Sequence, residues 1–186
     1  MNPLIEQLRK YGSLDPEAER AIASKTMHYK RKKLDYFLKE GQYSSSYFVL
    51  SKGLIRAYIV RNNKEVNSWF GGEDQIFCSI IPVYTDRASY EYIQFLEDSE
   101  VYAIARTDLN DLYIKYPKLN VIGRKMAEEV CVVLEERINS LHTESAIERY
   151  QAVVAQYPHL LQRINLGHIA SYLGITPETL SRIRKL

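Results

Sequence analysis

The segment from residue 166 to residue 186, LGHIASYLGITPETLSRIRKL, constrains the fold more than any other part of the chain. Apolar residues recur in it at helical spacing up to Leu173. Gly174 follows directly, where helices commonly end because glycine reaches positive φ without a Cβ clash. Thr176 can cap a second helix that has Pro177 in its first position. The pattern predicts two short helices joined by a tight turn, which is the helix-turn-helix arrangement.

The second of these helices carries the kinds of group that contact DNA. Short polar side chains lie near its N-terminus and cationic side chains lie further on, which suits base edges and phosphates respectively. Between residues 163 and 185 there are three Arg and one Lys against one Glu, although the net charge of the whole chain is only +2. A helical hairpin with solvated charges is the alternative interpretation. The candidate DNA-binding residues are Thr176, Glu178, Thr179, Ser181, Arg182, Arg184 and Lys185.

Composition argues against several other classes of protein. Hydrophobic residues make up 46% of the 186 residues, which is enough for a packed core in one domain or two small ones. Cys78 and Cys131 are far apart and lack metal-ligand spacing, so we expect a cytoplasmic protein without a metal site. The sequence has neither a signal peptide nor an apolar run long enough to span a bilayer. No Ser-His-Asp, Cys-His or phosphate-loop constellation suggests an enzyme.

The middle of the chain follows a different period. Between residues 36 and 60, and again between 92 and 104, apolar and aromatic residues recur near every second position. Turn-forming residues interrupt these runs, for example at Lys52 and Gly53. Several short strands at even spacing favour a small antiparallel barrel or roll. The register of the irregular segment 71–91 stays open.

A long helix is predicted from about residue 118 to residue 141. At about 1.5 Å per residue it would be about 35 Å long, more than a small roll needs for packing. Its apolar residues are spaced by threes and fours like a coiled-coil seam, so we expect a homodimer, with a core helix of a single chain as the alternative. The predicted dimer-interface residues are Ile122, Met126, Val130, Val133, Leu134, Ile138 and Leu141.

The order of these elements resembles that of the Crp–Fnr family of bacterial transcription regulators over nearly the whole chain. The segments FLKEG at 37–41 and YFVLSKG at 47–53 resemble the family's early strands, in which an apolar strand ends at a Lys-Gly turn. The segment ITPETLSRI at 175–183 is similar to the family's recognition helix. The resemblance therefore implies a bacterial regulator with a sensor domain and a DNA-binding domain.

The implied fold is α+β, with an antiparallel β-roll, a double-stranded β-helix like that of cyclic-nucleotide-binding domains. Residues 1–116 would form this sensor domain, residues 117–142 the long dimerisation helix, and residues 143–186 the helix-turn-helix domain. The implied partners are a second copy of the chain and double-stranded DNA, at a pseudo-palindromic site with half-sites about 34 Å apart. The alternative is a ligand-sensing or protein-interaction module that does not bind DNA, since no wing strands follow the second helix.

In the family's recognition helix, a Glu and an Arg four residues later contact bases, and Glu178 and Arg182 match those positions. The family often has an Arg directly before that Glu, where this chain has Pro177. We therefore expect a DNA sequence preference that differs from that of the cyclic-AMP receptor.

The resemblance also bears on the ligand. Cyclic-nucleotide-binding members have a Gly-Glu pair for the ribose hydroxyl and, about ten residues later, an Arg for the phosphate followed by small residues. Phe77 and Cys78 occupy the Gly-Glu position here, while segment 86–89, with Arg87 and Ser89, would supply the second half. These four residues are the candidate pocket, and we expect its effector not to be cyclic AMP. The four His residues show no axial-ligand pattern, so no haem or other cofactor is expected.

Overall fold

The computed structural model describes residues 2–85 and 87–185. The helices in this part of the chain are α1 (Pro3–Arg9), α2 (Pro16–Lys25), α3 (Ile80–Tyr84), α4 (Arg106–Lys115), α5 (Leu119–Thr143), α6 (Ala146–Gln156), α7 (Pro158–Leu161), α8 (Leu166–Leu173) and α9 (Pro177–Ile183). The strands are β1 (Met27–Arg31), β2 (Tyr36–Leu38), β3 (Ser46–Lys52), β4 (Ile55–Arg61), β5 (Lys64–Gly71), β6 (Ile76–Phe77), β7 (Tyr92–Phe95) and β8 (Ser99–Ala105).

The strands form two four-stranded antiparallel sheets, with the strand orders β1-β8-β3-β6 and β2-β7-β4-β5. Apolar side chains from both sheets meet between them, among them Phe48 of β3, Ile55 of β4 and Phe95 of β7, all fully buried. The α+β fold with an antiparallel roll is confirmed, as two facing sheets and not as a closed barrel.

Strand β3 is buried on both of its faces. Successive side chains of a strand point to opposite sides, so its residues enter two different cores. Phe48 and Leu50 point into the roll. Tyr47 and Val49 point away from it, into a second core that α1, α2, α4 and the start of α5 complete. This second core holds the first turns of the long helix against the outer face of the roll.

Helix α5 has 25 residues and is therefore about 37 Å long, as the sequence predicted. Its first turns pack in the second core, where Ile122 is only 2% exposed. Gly123 permits this packing, since a Cβ there would lie 2.5 Å from the Tyr113 hydroxyl. None of the helices in the described residues is long and apolar enough to cross a membrane.

A third core joins the C-terminal helices to the roll. Ile169 and Leu173 of α8 and Leu180 of α9 pack with Leu54, which lies between β3 and β4 and is fully buried. Phe70 of β5 packs against the same cluster. The C-terminal helices, predicted from the sequence as a separate domain, thus share apolar packing with the roll.

Candidate functional site

The turn after α8 is built by local sequence. Asn165 caps the start of α8, where its side-chain oxygen accepts a hydrogen bond from the Gly167 N–H at 2.7 Å. Gly174 ends the helix with a φ of 69°, in the left-handed region that favours glycine. The first helix of the predicted pair and its glycine turn are therefore confirmed.

Helix α9 begins as the sequence predicted. The Thr176 hydroxyl accepts a hydrogen bond from the Thr179 N–H at 3.2 Å, and Pro177 occupies the first helical position. The cap and the proline fix where the second helix starts. They also fix which of its side chains face away from α8.

One face of α9 packs inside the protein and the other faces solvent. Leu180 is buried against α8, and Thr179 is half-buried. The other six candidate DNA-binding residues are exposed, as contact with DNA requires: Thr176, Glu178, Ser181, Arg182, Arg184 and Lys185.

The exposed face of α9 combines one anion with several cations. Hydrogen bonds from its own backbone N–H and from the Thr176 hydroxyl lower the pKa of Glu178, so its carboxylate is ionised at neutral pH. Arg182 lies four residues further on and therefore on the same side of the helix. A carboxylate can accept from the amino group of cytosine, and a guanidinium can donate to guanine O6 and N7. Arg184 and Lys185 follow at the end of the helix, where they can bind phosphates.

The apolar stripe predicted along the long helix is divided between two environments. Ile122 is buried in this chain's own core and Met126 packs against it, so Ile122 is not available to a partner. This corrects the assignment of Ile122 to a dimer interface. The other five residues of the stripe are between 45% and 53% exposed: Val130, Val133, Leu134, Ile138 and Leu141.

Phe77 occupies space at the edge of the roll's interior. Its ring stacks on Trp69 with centroids 5.5 Å apart, and it lies 5.7 Å from the Phe48 ring. A Cβ on Gly71 would come within 2.3 Å of the Phe77 ring, so the glycine admits the ring. An aromatic side chain thus stands where the family resemblance places a Gly-Glu pair.

The other three pocket candidates have different environments. Arg87 is exposed, so its role in a pocket stays a prediction, and Asp86 lies outside the described residues. Ser89 is buried, and its hydroxyl donates to the Glu91 carbonyl and accepts from the Glu91 N–H, both at 3.0 Å. Burial raises the pKa of Cys78 to about 12, so its thiol is protonated and unreactive at neutral pH.

Glu91 is the functional candidate that the sequence did not reveal. It is only 9% exposed, and the Ser79 hydroxyl donates to its Oε1 at 2.7 Å. Burial raises the pKa of its carboxyl group, against the opposing effects of hydrogen bonds from Ser79 and Trp69. No Lys, Arg or His among residues 2–85 and 87–185 forms an ion pair with it. An acidic residue between Tyr90 and Tyr92 was the available signal, but only the fold shows its burial.

A cleft of about 1730 Å³ separates this part of the roll from the helices that follow it. Trp69, Phe77 and Glu91 lie on its roll side, and Val133 and Leu134 lie on the side of α5. Both the buried carboxyl group and the exposed stripe therefore border the same space. No group of three metal-ligating side chains converges anywhere in the described part of the chain.

No family model matches the sequence, and no curated protein is similar to it. Among solved structures, the fold is similar to FixK2 from Bradyrhizobium japonicum, with a TM-score of 0.72 at 16% identity over 86% of this chain and 83% of that one. The fold is also similar to a CooA mutant from Carboxydothermus hydrogenoformans, with a TM-score of 0.69 at 19% identity over 88% of this chain and 77% of that one. For a Crp/Fnr-family transcriptional regulator from Eubacterium rectale, the TM-score is 0.71 at 13% identity over 92% of this chain and 82% of that one. The predicted resemblance is confirmed at the level of the fold, which is that of Crp/Fnr regulators.

Proposed function

We propose that this chain is a cytoplasmic, homodimeric transcription regulator of the Crp/Fnr type that binds DNA sequence-specifically. The observation that carries the proposal is the α8–α9 helix-turn-helix with an exposed cationic outer face, in a chain that has the fold of Crp/Fnr regulators. Residues 143–186 would be the DNA-binding part, residues 1–116 the sensor, and the long helix the link between them.

The exposed half of α5 supports the dimer. Val130, Val133, Leu134, Ile138 and Leu141 form a stripe along about three turns of a helix, and water would solvate it in a single chain. A second copy of α5 related by a two-fold axis would cover it with the same residues. Two recognition helices would then face successive major grooves, about 34 Å apart.

The outer face of α9 supplies the two kinds of contact that such binding needs. Glu178 and Arg182 would contact base edges, with Arg182 on guanine O6 and N7. Arg184 and Lys185 would hold phosphates and so contribute affinity that does not depend on sequence. Thr176, Thr179 and Ser181 would contribute further polar contacts.

The test compares two variants on DNA sites obtained by selection. Arg182→Ala should weaken binding to the selected site by about 5- to 100-fold and relax the preference for one base. Lys185→Ala should weaken binding to all sequences by the same factor. It should also make the slope of log affinity against log salt concentration shallower by about one. An equal loss on every sequence in the Arg182→Ala variant would contradict base reading by Arg182.

The competing function is a sensing or interaction module that does not bind DNA. The same gel-shift experiment separates the two functions, because binding to DNA through cations weakens steeply with added salt. Absence of any salt-dependent DNA affinity in the wild-type protein would favour the module.

The cleft beside Glu91 is our candidate site for an effector other than cyclic AMP. A cyclic phosphate needs a guanidinium or a set of N–H donors, but Arg87 is exposed and the buried group at the cleft is a carboxyl group. Calorimetry should therefore detect no binding of cyclic AMP, and cyclic AMP should leave the affinity for DNA unchanged. A micromolar dissociation constant for cyclic AMP would overturn this part of the proposal.

A further inference from the structure

Helix α8 covers the free edge of a sheet. Strand β5 is the edge strand of the sheet β2-β7-β4-β5, and the Ser171 hydroxyl of α8 bonds to its backbone. That hydroxyl accepts from the Asn67 N–H at 3.0 Å and donates to the Glu65 carbonyl oxygen at 2.9 Å. Edge-strand groups otherwise bond to water or to another chain. The Asn67 N–H therefore reports whether α8 lies on the roll.

A buried arginine lies beside this contact. Arg56 of β4 is 5% exposed, and its Nε and Nη2 donate to Gln94 Oε1 at 3.0 and 2.7 Å. Its Nη1 donates to Glu65 Oε2 at 2.5 Å and lies 3.1 Å from Nδ1 of His168 on α8. We call Arg56, Glu65 and Asn67 the docking face, since His168 and Ser171 of α8 contact them.

The contact between Arg56 and His168 fixes the protonation state of the imidazole. A guanidinium has only donors, so Nδ1 of His168 must accept, and a neutral ring then carries its proton on Nε2. A second proton would turn Nδ1 into a donor that faces a donor. It would also place a positive charge next to buried Arg56, where the local dielectric constant is low.

The other charged groups around α8 do not reverse this effect. Glu65 is the carboxylate that faces His168 among residues 2–85 and 87–185, and its Oε2 already accepts from Arg56. At the C-terminal end of α8, Arg137 of α5 donates to the Tyr172 carbonyl and Arg149 of α6 to the Leu173 carbonyl. Neither of these arginines offers a negative charge to a protonated His168.

A second polar contact between the two parts does not titrate near neutral pH. Arg163, in the segment before α8, donates to both carboxylate oxygens of Glu73 at 2.9 Å and to Glu97 at 2.6 and 3.0 Å. Arg163 holds the pKa of Glu73 down at about 2, so this ion pair persists through the physiological range. Acid would therefore loosen the contact at His168 while the one at Arg163 remains.

We propose that His168 makes the docking of the helix-turn-helix on its own roll responsive to pH, with α8 held on the docking face when the imidazole is neutral and loosened when it is protonated. Acid loosens the contact between α8 and β5 and thereby changes how firmly α9 is held relative to the rest of the chain. Protons are thus a regulatory ligand of the regulator, separate from any effector in the cleft.

The direction follows from linkage. Burial first, and Arg56 second, lower the pKa of His168 from its usual 6.5, while Glu65 opposes them. The released state therefore binds the proton more readily than the docked state. Docking is at full strength above pH 6.5 and weakens as the pH falls through the lowered pKa, by at most about tenfold at pH 5.5.

The consequence for DNA rests on the proposed function. Leu180 ties α9 to α8, and α9 keeps its outer face exposed in the docked arrangement. A docked α9 has lost orientational freedom before it meets DNA, so docking should favour binding. The affinity for the selected DNA site should fall by up to about tenfold from pH 7.5 to 5.5 at constant salt.

The primary experiment needs no DNA. Amide exchange of the full chain is followed by NMR at pH 7.5 and 5.5, with rates corrected for intrinsic chemistry. The protection of the Asn67 N–H should fall by up to about tenfold at pH 5.5. His168→Gln retains an acceptor for Arg56 but cannot titrate, so it should keep its protection at both pH values. His142→Gln removes an exposed histidine of α5 and should behave like the wild type.

A direct titration covers the case in which His168→Gln docks poorly. The C2 proton of His168 in the wild-type chain should titrate below pH 6.5, and the Asn67 and Ser171 amide signals should shift with the same midpoint. A midpoint at or above 6.5, unchanged Asn67 protection in the wild type, or an equal loss in His168→Gln would each overturn the proposal. If no variant binds DNA at either pH, the proposed function fails, while the protection data still decide the docking.

Discussion

The two halves of helix α5 have the same apolar spacing and opposite environments. In the first half, Leu119 and Ile122 are each 2% exposed in a core that this chain completes by itself. In the second half, Val133 and Leu134 are about half exposed and border the cleft. The sequence pattern is continuous across both halves, because spacing reports only that one side of a helix is apolar.

The difference shows that an apolar stripe can serve two interfaces in succession. The first half anchors the helix to the roll and to α1, α2 and α4, so changes there should affect the stability of each chain. The second half belongs to none of the three cores formed by the described residues and stays about half exposed, so changes there should affect association between chains. Each half can be altered separately, and the two outcomes should differ in kind.

The largest effect should follow from charging the open half. Leu134→Glu combined with Ile138→Glu would bury four carboxylates in a two-fold interface without partners, so the dimer dissociation constant should rise by at least about a thousandfold. Val132→Glu lies on the opposite side of the same helix, is already 56% exposed, and should leave the dimer intact. Analytical ultracentrifugation measures both variants. Dimers of unchanged affinity in the double variant would assign the stripe another role.

The closed half should respond with lost stability. Ile122→Ala removes three methyl or methylene groups from a fully packed core and should lower the free energy of unfolding by about 3 kcal/mol. Urea denaturation monitored by circular dichroism gives this value, with Val121→Ala on the exposed side as the matched control. If Ile122→Ala instead dissociated the dimer without lowering the free energy of unfolding, Ile122 would lie between chains.

The smallest effect concerns the roll side of the cleft. Glu91→Gln keeps an acceptor for Ser79 and removes a buried charge, so at pH 7 it should increase the free energy of unfolding by about 1 kcal/mol. Since burial raises the pKa of Glu91 above its usual 4.5, the folded state holds the proton more tightly than the unfolded state. The wild type therefore loses stability as the pH rises above 4.5, and the gain of the variant should disappear towards pH 4.

Thermal unfolding at several pH values measures the Glu91 effect. Glu135→Gln, on the exposed surface of α5, should show no such dependence on pH. A pH-independent gain in Glu91→Gln would mean that this carboxyl group has the same pKa in the folded and unfolded states, which would remove the contrast between the two walls of the cleft.

The elements whose signals are local were predictable. Gly174, Thr176 and Pro177 determine where α8 ends and α9 begins through backbone φ and a side-chain cap, which operate within a few residues. The order of strands and helices was also readable, since the period changes from two to three or four at the boundaries. Which residues of α9 contact DNA stays a prediction.

The candidate sensor site was less predictable, because its members come together only through the fold. The sequence assigned Arg87 to the pocket, yet it is exposed, while Glu91, four residues later, is buried behind Ser79 and Ser89. The irregular segment 71–91 has no period that would fix its register. A side chain's direction there depends on contacts made by distant strands.

The sequence by itself determined the fold class, the helix-turn-helix and the long apolar-striped helix. Each of them depends on the spacing of apolar residues and on helix caps, which involve residues close together in the chain. Only the tertiary structure decided that Ile122 is closed within the chain and Ile138 is open, that a carboxyl group borders the cleft, and that His168 meets Arg56, 112 positions away in the chain. Burial and charge pairing between distant segments depend on which surfaces the fold brings together. Spacing along the chain does not contain that information.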